Sequence, residues 1–369
     1  MIERFYVNNY RCFENFAIDF SGHPSVLLIG KNGTGKSTIL KALRILQKLC
    51  RGFSRVNELV AVSDFSHNRT SIPIRFEVEL KIDARRLKYN LVLEFSSDAH
   101  EVQVAGEALE TDGDVVFSRD HRDVTQPGST SFALDQRIVA LPVIGIRDRV
   151  IDTLREQVRY YLASMVLIAP VPSVMWGYST VETSELDENA ANLLNWLSSL
   201  LLRSPAAYSV IESYLRFAMP DLAYFENKVL GEKTKWLMVT FANGATGTPS
   251  GIPFFQLSDG EKCFFLSALI VAANRMMGPL FCFWDEPDNH LSLPEVGHFI
   301  TQLRKMTNQN GGQFIATSHH PEAIRRFSDD TTLVLSRKSH LEPTVVRPLA
   351  DFKYSGDLIA ALIRDEVIG

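Results

Sequence analysis

The stretch Val26-Leu27-Leu28-Ile29-Gly30-Lys31-Asn32-Gly33-Thr34-Gly35-Lys36-Ser37-Thr38-Ile39-Leu40-Lys41-Ala42-Leu43 decides how this chain is read. An apolar run, a glycine-rich turn and a helical pattern follow one another, with the spacing G-x-x-x-x-G-K-S of a P-loop. The glycines let backbone N–H groups point inward around a phosphate chain, and the helix N-terminus adds partial positive charge at the same place. Asn32, Gly33, Thr34, Gly35, Lys36, Ser37 and Thr38 are the candidate cofactor-binding run. Lys36 is expected to reach the β- and γ-phosphates and Ser37 to hold Mg2+. By itself this motif predicts only a bound nucleoside triphosphate.

Working outward, the composition bounds the rest. The 369 residues suffice for two or three structural units. With 46% hydrophobic and 22% charged residues, the chain reads as an ordinary globular protein. A net charge of −5 excludes a globally basic nucleic-acid grip. Cys12, Cys50, Cys263 and Cys282 are scattered without metal-ligand spacing, three of them in apolar surroundings, as expected of a reduced cytoplasmic protein. No apolar run approaches the ~18 residues of a membrane span. Met1-Ile2-Glu3-Arg4-Phe5 lacks the apolar core of a signal peptide.

Ahead of the P-loop, Ile2–Val7 and Phe16–Phe20 alternate as two strands. Behind it, a helix is expected over 36–49, with Ile39, Leu40, Leu43, Leu46 and Leu49 on one face. Residues 72–80 and 89–95 read as neighbouring strands, and 102–117 as a hairpin turning at Asp112-Gly113-Asp114. Asp98, Glu101, Glu107, Glu110, Asp112, Asp114, Asp120 and Asp123 face only Arg119 and Arg122, which reads as a solvated sheet face unsuited to nucleic acid. Helices follow over 148–162 (Val150, Ile151, Leu154, Val158 and Tyr161 on one face), 187–202 and 205–218, the last opened by Pro205. No heptad pattern persists, so a compact helical insertion is expected rather than a coiled-coil arm. Trp236–Phe241 resumes strand character, and a glycine-rich turn runs from Gly244 to Gly251.

Three further motifs carry chemistry. Leu257-Ser258-Asp259-Gly260-Glu261-Lys262 opens a long apolar helix; Ser258 and Glu261 form an S-x-x-E capping box, and Ser258 with the Gly260 backbone is also a candidate second anion-binding helix end. Leu280-Phe281-Cys282-Phe283-Trp284-Asp285-Glu286 reads as a buried parallel strand ending in two acids, at the end where an α/β sheet binds ligands. Asp285 is the candidate for the Mg2+ shell and Glu286 for polarising the attacking water. Gln313-Phe314-Ile315-Ala316-Thr317-Ser318-His319 is another strand; His319 is the candidate for stabilising charge on the γ-phosphate, and His320 is expected to face solvent or cap the helix at Pro321-Glu322.

In this order the motifs resemble the ATP-binding-cassette ATPases, and more narrowly their SMC/RecF/OLD-like branch. Ile2-Glu3-Arg4-Phe5-Tyr6-Val7-Asn8-Asn9-Tyr10-Arg11-Cys12-Phe13 is similar to the usual start of that branch. The resemblance implies an α/β fold: a P-loop NTPase with an ABC-ATPase head, made of a mixed β lobe and a RecA-like parallel core, plus the helical insertion. It divides the chain into 1–135, 136–235 and 236–369. It implies Mg-dependent ATP hydrolysis, with Arg11 reaching the nucleotide and Glu286, His319 and Lys36 in the catalytic role. It also implies a head-to-tail homodimer or higher oligomer, with each ATP between one chain's Lys36 and another's Ser258, Gly260 and Glu261.

The signature reads Ser258-Asp259-Gly260-Glu261 where many relatives have Ser-Gly-Gly-Gln, and the family's metal-contacting glutamine is missing, which leaves its place to His67 or Asn68. Tyr10 is the candidate for stacking on adenine. Residues 336–369 cannot hold the nuclease domain of OLD-type relatives, so a separate effector such as a nuclease is expected, in antiphage defence or, alternatively, DNA repair. A transporter ATPase subunit is the remaining, disfavoured alternative, and no membrane partner is expected. DNA stays open as a direct ligand of Arg147, Arg149, Arg155, Arg159, Arg325 and Arg326.

Overall fold

A computed structural model describes residues 1–128, 131–230, 233–242, 250–327 and 331–352. The expected turn at Gly244 lies outside the described residues. The chain divides into two compact units, one made of 1–165 with 329–369, the other of 166–328.

In the first unit, the P-loop strand Ser25–Ile29 pairs in parallel with Thr332–Ser336, which continues antiparallel into Val345–Pro348. All five residues of Ser25–Ile29 are buried, as a strand covered on both faces requires. The P-loop helix Lys36–Cys50 buries Ile39, Leu40, Leu43, Leu46 and Leu49, as their spacing predicts. It packs on the helix Arg149–Ala163 through Leu154, Val158 and Leu162. Asp148 caps that helix, accepting from the N–H groups of Val150 and Ile151 at 2.8 and 3.1 Å. Val150, expected on the buried face, is instead 63% exposed, because it sits in the first turn beyond the reach of the P-loop helix.

The same unit holds an eight-stranded antiparallel sheet in the order Phe16–Asp19, Ile2–Asn8, Ile74–Ile82, Arg85–Ser96, Glu101–Thr111, Asp114–Asp120, Asp123–Thr125, Phe132–Ala133. Its hairpin turns at Asp112 and Gly113, both at positive φ, as expected. The acidic run is not uniformly solvated. Glu107 is buried, and its carboxylate accepts from Tyr89 Oη at 2.9 Å and from the N–H groups of Ala140 and Leu141 at 2.5 and 2.8 Å. Arg119 lies 3.8 Å away and donates to the carbonyls of His121, Ile138, Leu134 and Asp135. Strand alternation turns these two inward, where each must be matched by hydrogen bonds.

The second unit carries the parallel strands Val166–Ile168, Phe281–Trp284 and Gln313–Thr317, with Phe281–Trp284 in the middle. Trp284 is fully buried and packs edge-on against Phe299, centroids 5.0 Å apart. The helix Asp259–Met277 is apolar on nearly every face, which marks it as central. Around it pack Phe299, Phe225 and Phe254, and Tyr214 Oη, 2.6 Å from Ser267 Oγ. A smaller antiparallel sheet pairs Leu222–Leu230, Thr234–Phe241 and Ser250–Pro253. On it Trp176, Tyr178, Trp236 and Phe255 form an aromatic cluster in which Trp176 is 54% exposed.

Two helices start later than expected. Leu193–Arg203 replaces 187–202, because the Asn189 and Asn192 side chains bond the N–H groups of Ala191 and Asp187 and hold the preceding turn open. Ala207–Ala218 begins beyond Pro205, whose carbonyl accepts from Tyr208 N–H in the turn before the helix.

Candidate functional site

The P-loop is built by close approach. A Cβ on Gly30 would lie 2.3 Å from the Leu335 carbonyl oxygen, so only glycine lets the loop cross the neighbouring strand. Gly33 and Gly35 have φ of 81° and 100°, in the left-handed region. Lys36 is buried, and its ammonium turns back into the loop, donating to the carbonyls of Gly30 at 2.8 Å and Lys31 at 3.3 Å. Thr34 is buried and donates to Lys31 O; Thr38 N–H donates to Gly35 O at 2.9 Å. Asn32, Gly33 and Ser37 are exposed.

Arg11 takes a left-handed backbone, φ 51°, and is clamped by Asp64, which accepts from Nε at 2.9 Å and stands 2.8 Å from Nη2. With Gly33, Thr38, His67 and Asn68, Arg11 lines an open depression beside the P-loop. His67 and Asn68, the candidates for the missing glutamine, therefore reach that depression. Tyr10 does not offer its ring there: it is 2% exposed and set edge-on against Phe76, because the apolar ring is worth more inside the lobe. Burial pushes its hydroxyl up to about 12.

In the second unit the two acids end the strand Phe281–Trp284 as expected. Thr317, from the adjoining strand end, donates to Asp285 Oδ1 at 2.5 Å and accepts from Glu286 N–H at 2.9 Å. Glu286 has φ of 51°, a conformation costly for a non-glycine residue and held here by its partners. Asn289 Nδ2 donates to its Oε2 at 2.8 Å, and His319 Nε2 stands 3.9 Å from its Oε1. The side chains of both Glu286 and His319 remain partly open to solvent. His320 caps the next helix, accepting from Glu322 N–H, as predicted.

Ser258 caps the helix Asp259–Met277. Its Oγ accepts from Glu261 N–H at 3.3 Å, and Glu261 Oε2 takes hydrogen bonds from Ser258 N–H and Oγ, both at 2.7 Å. Gly260 is needed because the His290 carbonyl oxygen would be 2.9 Å from a Cβ there. The loop 287–290 after Glu286 thus rests on the signature helix. Cys263, which lines the hollow below Glu286, has its thiol pushed up to about 12 by burial and stays protonated at neutral pH.

Of the arginines considered for DNA only Arg155 is drawn inward, whereas Arg147, Arg149, Arg325 and Arg326 are exposed. Arg155 is 4% exposed and paired with Asp152 and Glu156, Arg159 with Glu156, and Arg326 with Glu322. Thr317 and Asp64 had no signal of their own in the sequence, and Asn289 had one only as part of the stretch Asp288–Leu291; a threonine two residues before His319 at a strand end is the nearest hint.

The profile of the family described as "AAA domain, putative AbiEii toxin, Type IV TA system" matches residues 25–325, and the chain belongs to that family. Among solved structures, the chain is similar to the SMC head domain from Thermotoga maritima (13% identity, TM-score 0.51, covering 94% of this chain and 98% of that one). It is similar to an SMC head bound to the C-winged helix domain of ScpA (14% identity, TM-score 0.58, covering 95% and 98%). It is also similar to an SMC head with an extended coiled coil, bound to the C-terminal domain of ScpA derived from Pyrococcus furiosus (12% identity, TM-score 0.51, covering 99% of each). No curated protein sequence matches the chain. The fold is that of a P-loop ABC-type ATPase head of the SMC/RecF-like branch, and the chain is an ATPase. The P-loop fits a triphosphate: its lysine already bonds the loop carbonyls, and its exposed glycine and serine leave the rim open. Among the described residues no helix is long and apolar enough to cross a membrane.

Proposed function

We propose that this ATPase closes as a head-to-tail dimer around ATP and, in doing so, controls a separate effector protein in antiphage defence. The observation that carries the reading is Glu286, set at a strand end in a left-handed backbone with its carboxylate between Asn289 and His319. Such a carboxylate is oriented to take a proton from water, and the neighbouring imidazole is placed to meet developing negative charge. Lys36 and the N–H groups of Asn32–Thr38 bind phosphate, and Arg11 orients the nucleotide. Ser37 and Asp285 are the metal-side ligands. Bound ATP with Mg2+ supplies the phosphoanhydride bond and the cation that balances its charge.

Ser258, Gly260 and Glu261 of a second copy complete the site from the far side: a capped helix N-terminus favours an anion there only while the γ-phosphate remains. Hydrolysis then releases the dimer, a nucleotide-driven switch of assembly. The toxin–antitoxin description of the family supports a defence context, and the SMC heads solved with ScpA support a separate protein partner. The same likeness to SMC heads favours a second reading, an ATPase of DNA repair.

The test is a pair of variants studied by light scattering and ATP turnover. Glu286→Gln should trap ATP-bound dimers, and Lys36→Ala should abolish ATP binding. Intact turnover in Glu286→Gln would remove Glu286 as the base, and monomers at saturating ATP would remove the dimer.

A further inference from the structure

The depression beside the P-loop has a wall to which no motif points. It is formed by Arg337 and His340, on the loop 337–344 that joins the strand Thr332–Ser336 to Val345–Pro348. The loop is exposed at its tip, where Leu341 is 79% accessible, yet firmly tied at its base. Thr344 is buried; its Oγ1 donates to Thr34 O in the P-loop at 2.9 Å and its N–H donates to Cys12 O at 3.0 Å. Arg337 holds the tip by donating from Nε to Glu342 O at 2.5 Å and from Nη2 to His340 O. The imidazole is brought to the exposed glycine of the P-loop: a Cβ on Gly33 would lie 3.8 Å from His340 Nε2.

The charge state of this wall decides what it can hold. Arg11 is paired through Nε and Nη2 with Asp64, and Arg337 spends Nε and Nη2 on two carbonyls of its own loop. What the depression presents is the imidazole of His340 with the amide of Asn68 beside a phosphate-binding turn. That combination suits a heteroaromatic base and its sugar, which bind by stacking and single hydrogen bonds.

We infer that the loop 337–344 is the nucleoside-binding wall of the ATP site and that His340 contacts the nucleoside. The inference rests on the reading of Gly30–Thr38 as the triphosphate site, and the test separates the two. The full-length protein, His340→Ala and Lys36→Ala are titrated calorimetrically with ATP and, separately, with inorganic tripolyphosphate, which lacks a nucleoside. In His340→Ala, ATP affinity falls about tenfold, within what one stacked base contributes, and tripolyphosphate affinity is unchanged. Equal weakening of both ligands would make His340 a phosphate contact and overturn the inference. So would unchanged affinity for ATP. Loss of both ligands in Lys36→Ala is expected; if that variant binds both as the parent does, it is the P-loop reading that fails, whatever His340 does.

Discussion

Thr317 Oγ1 donates to Asp285 Oδ1 at 2.5 Å, and the same oxygen accepts the N–H of Glu286 at 2.9 Å. A single buried hydroxyl therefore orients both acids of the neighbouring strand. Thr317→Val keeps the shape and removes both bonds. The kcat for ATP should fall roughly 10–100-fold, the usual cost of losing an outer-shell partner, with KM little changed. Thr317→Ser should recover most of it. Steady-state assays of the three proteins check this, and a valine variant with parental kcat would deprive Thr317 of any positioning role.

Gly35 leaves little room for a side chain. Its φ is 100°, and a Cβ would lie 2.8 Å from Cys12 Sγ and 2.9 Å from Phe13 Cε1. Gly35→Ala should lower stability by about 1–3 kcal/mol through backbone strain alone, with nucleotide binding lost in the remaining folded protein. Gly22, at φ 77° with nothing within 4 Å of a Cβ, is the control that carries strain without a clash. Thermal melts with and without ATP distinguish the two.

The buried pair in the β lobe makes a stability prediction. Arg119→Leu strands the Glu107 carboxylate away from water, which should cost about 3–5 kcal/mol. Adding Glu107→Gln should return a large part of that loss, since the stranded charge is then gone. Urea unfolding of the single and double variants reads the difference; additive losses would mean that the two side chains do not interact.

Asp288 gives a pH dependence. It is 8% exposed with Oδ1 buried and without a hydrogen-bond partner, and burial raises its pKa. The folded state thus holds this proton more tightly than the unfolded chain does. Its contribution is fully present below the unfolded carboxyl value of about 3.9 and is lost as pH rises through the folded value. Asp288→Asn should flatten that fall and melt higher than the parent at neutral pH. Melting curves from acid to neutral pH provide the check, and parallel curves for the two proteins would refute it.

What could be read from the sequence was local. The P-loop, the Ser258–Glu261 box and the apolar run ending at Asp285 each have their meaning within a few residues, through fixed spacing and burial pattern. The partners that orient them come from far along the chain: Asp64 lies 53 residues from Arg11, and Thr317 lies 32 from Asp285. No periodicity registers such pairs. Counting charges misread Glu107 for a related reason, because strand alternation, not local charge, turned it inward. The late start of the helix at Leu193 reflects competition from asparagine side chains, which a hydrophobic pattern does not weigh.

Trp284, buried edge-on against Phe299 and joined directly to Asp285, also gives the molecule an optical reporter of its own. Its indole should emit toward the blue and resist quenching by acrylamide, whereas the half-exposed Trp176 should emit to the red and quench readily. Replacing Trp176, Trp196 and Trp236 by phenylalanine would leave Trp284 as the one tryptophan of the chain. The remaining emission would then follow events at the acidic strand end in real time, in unlabelled protein.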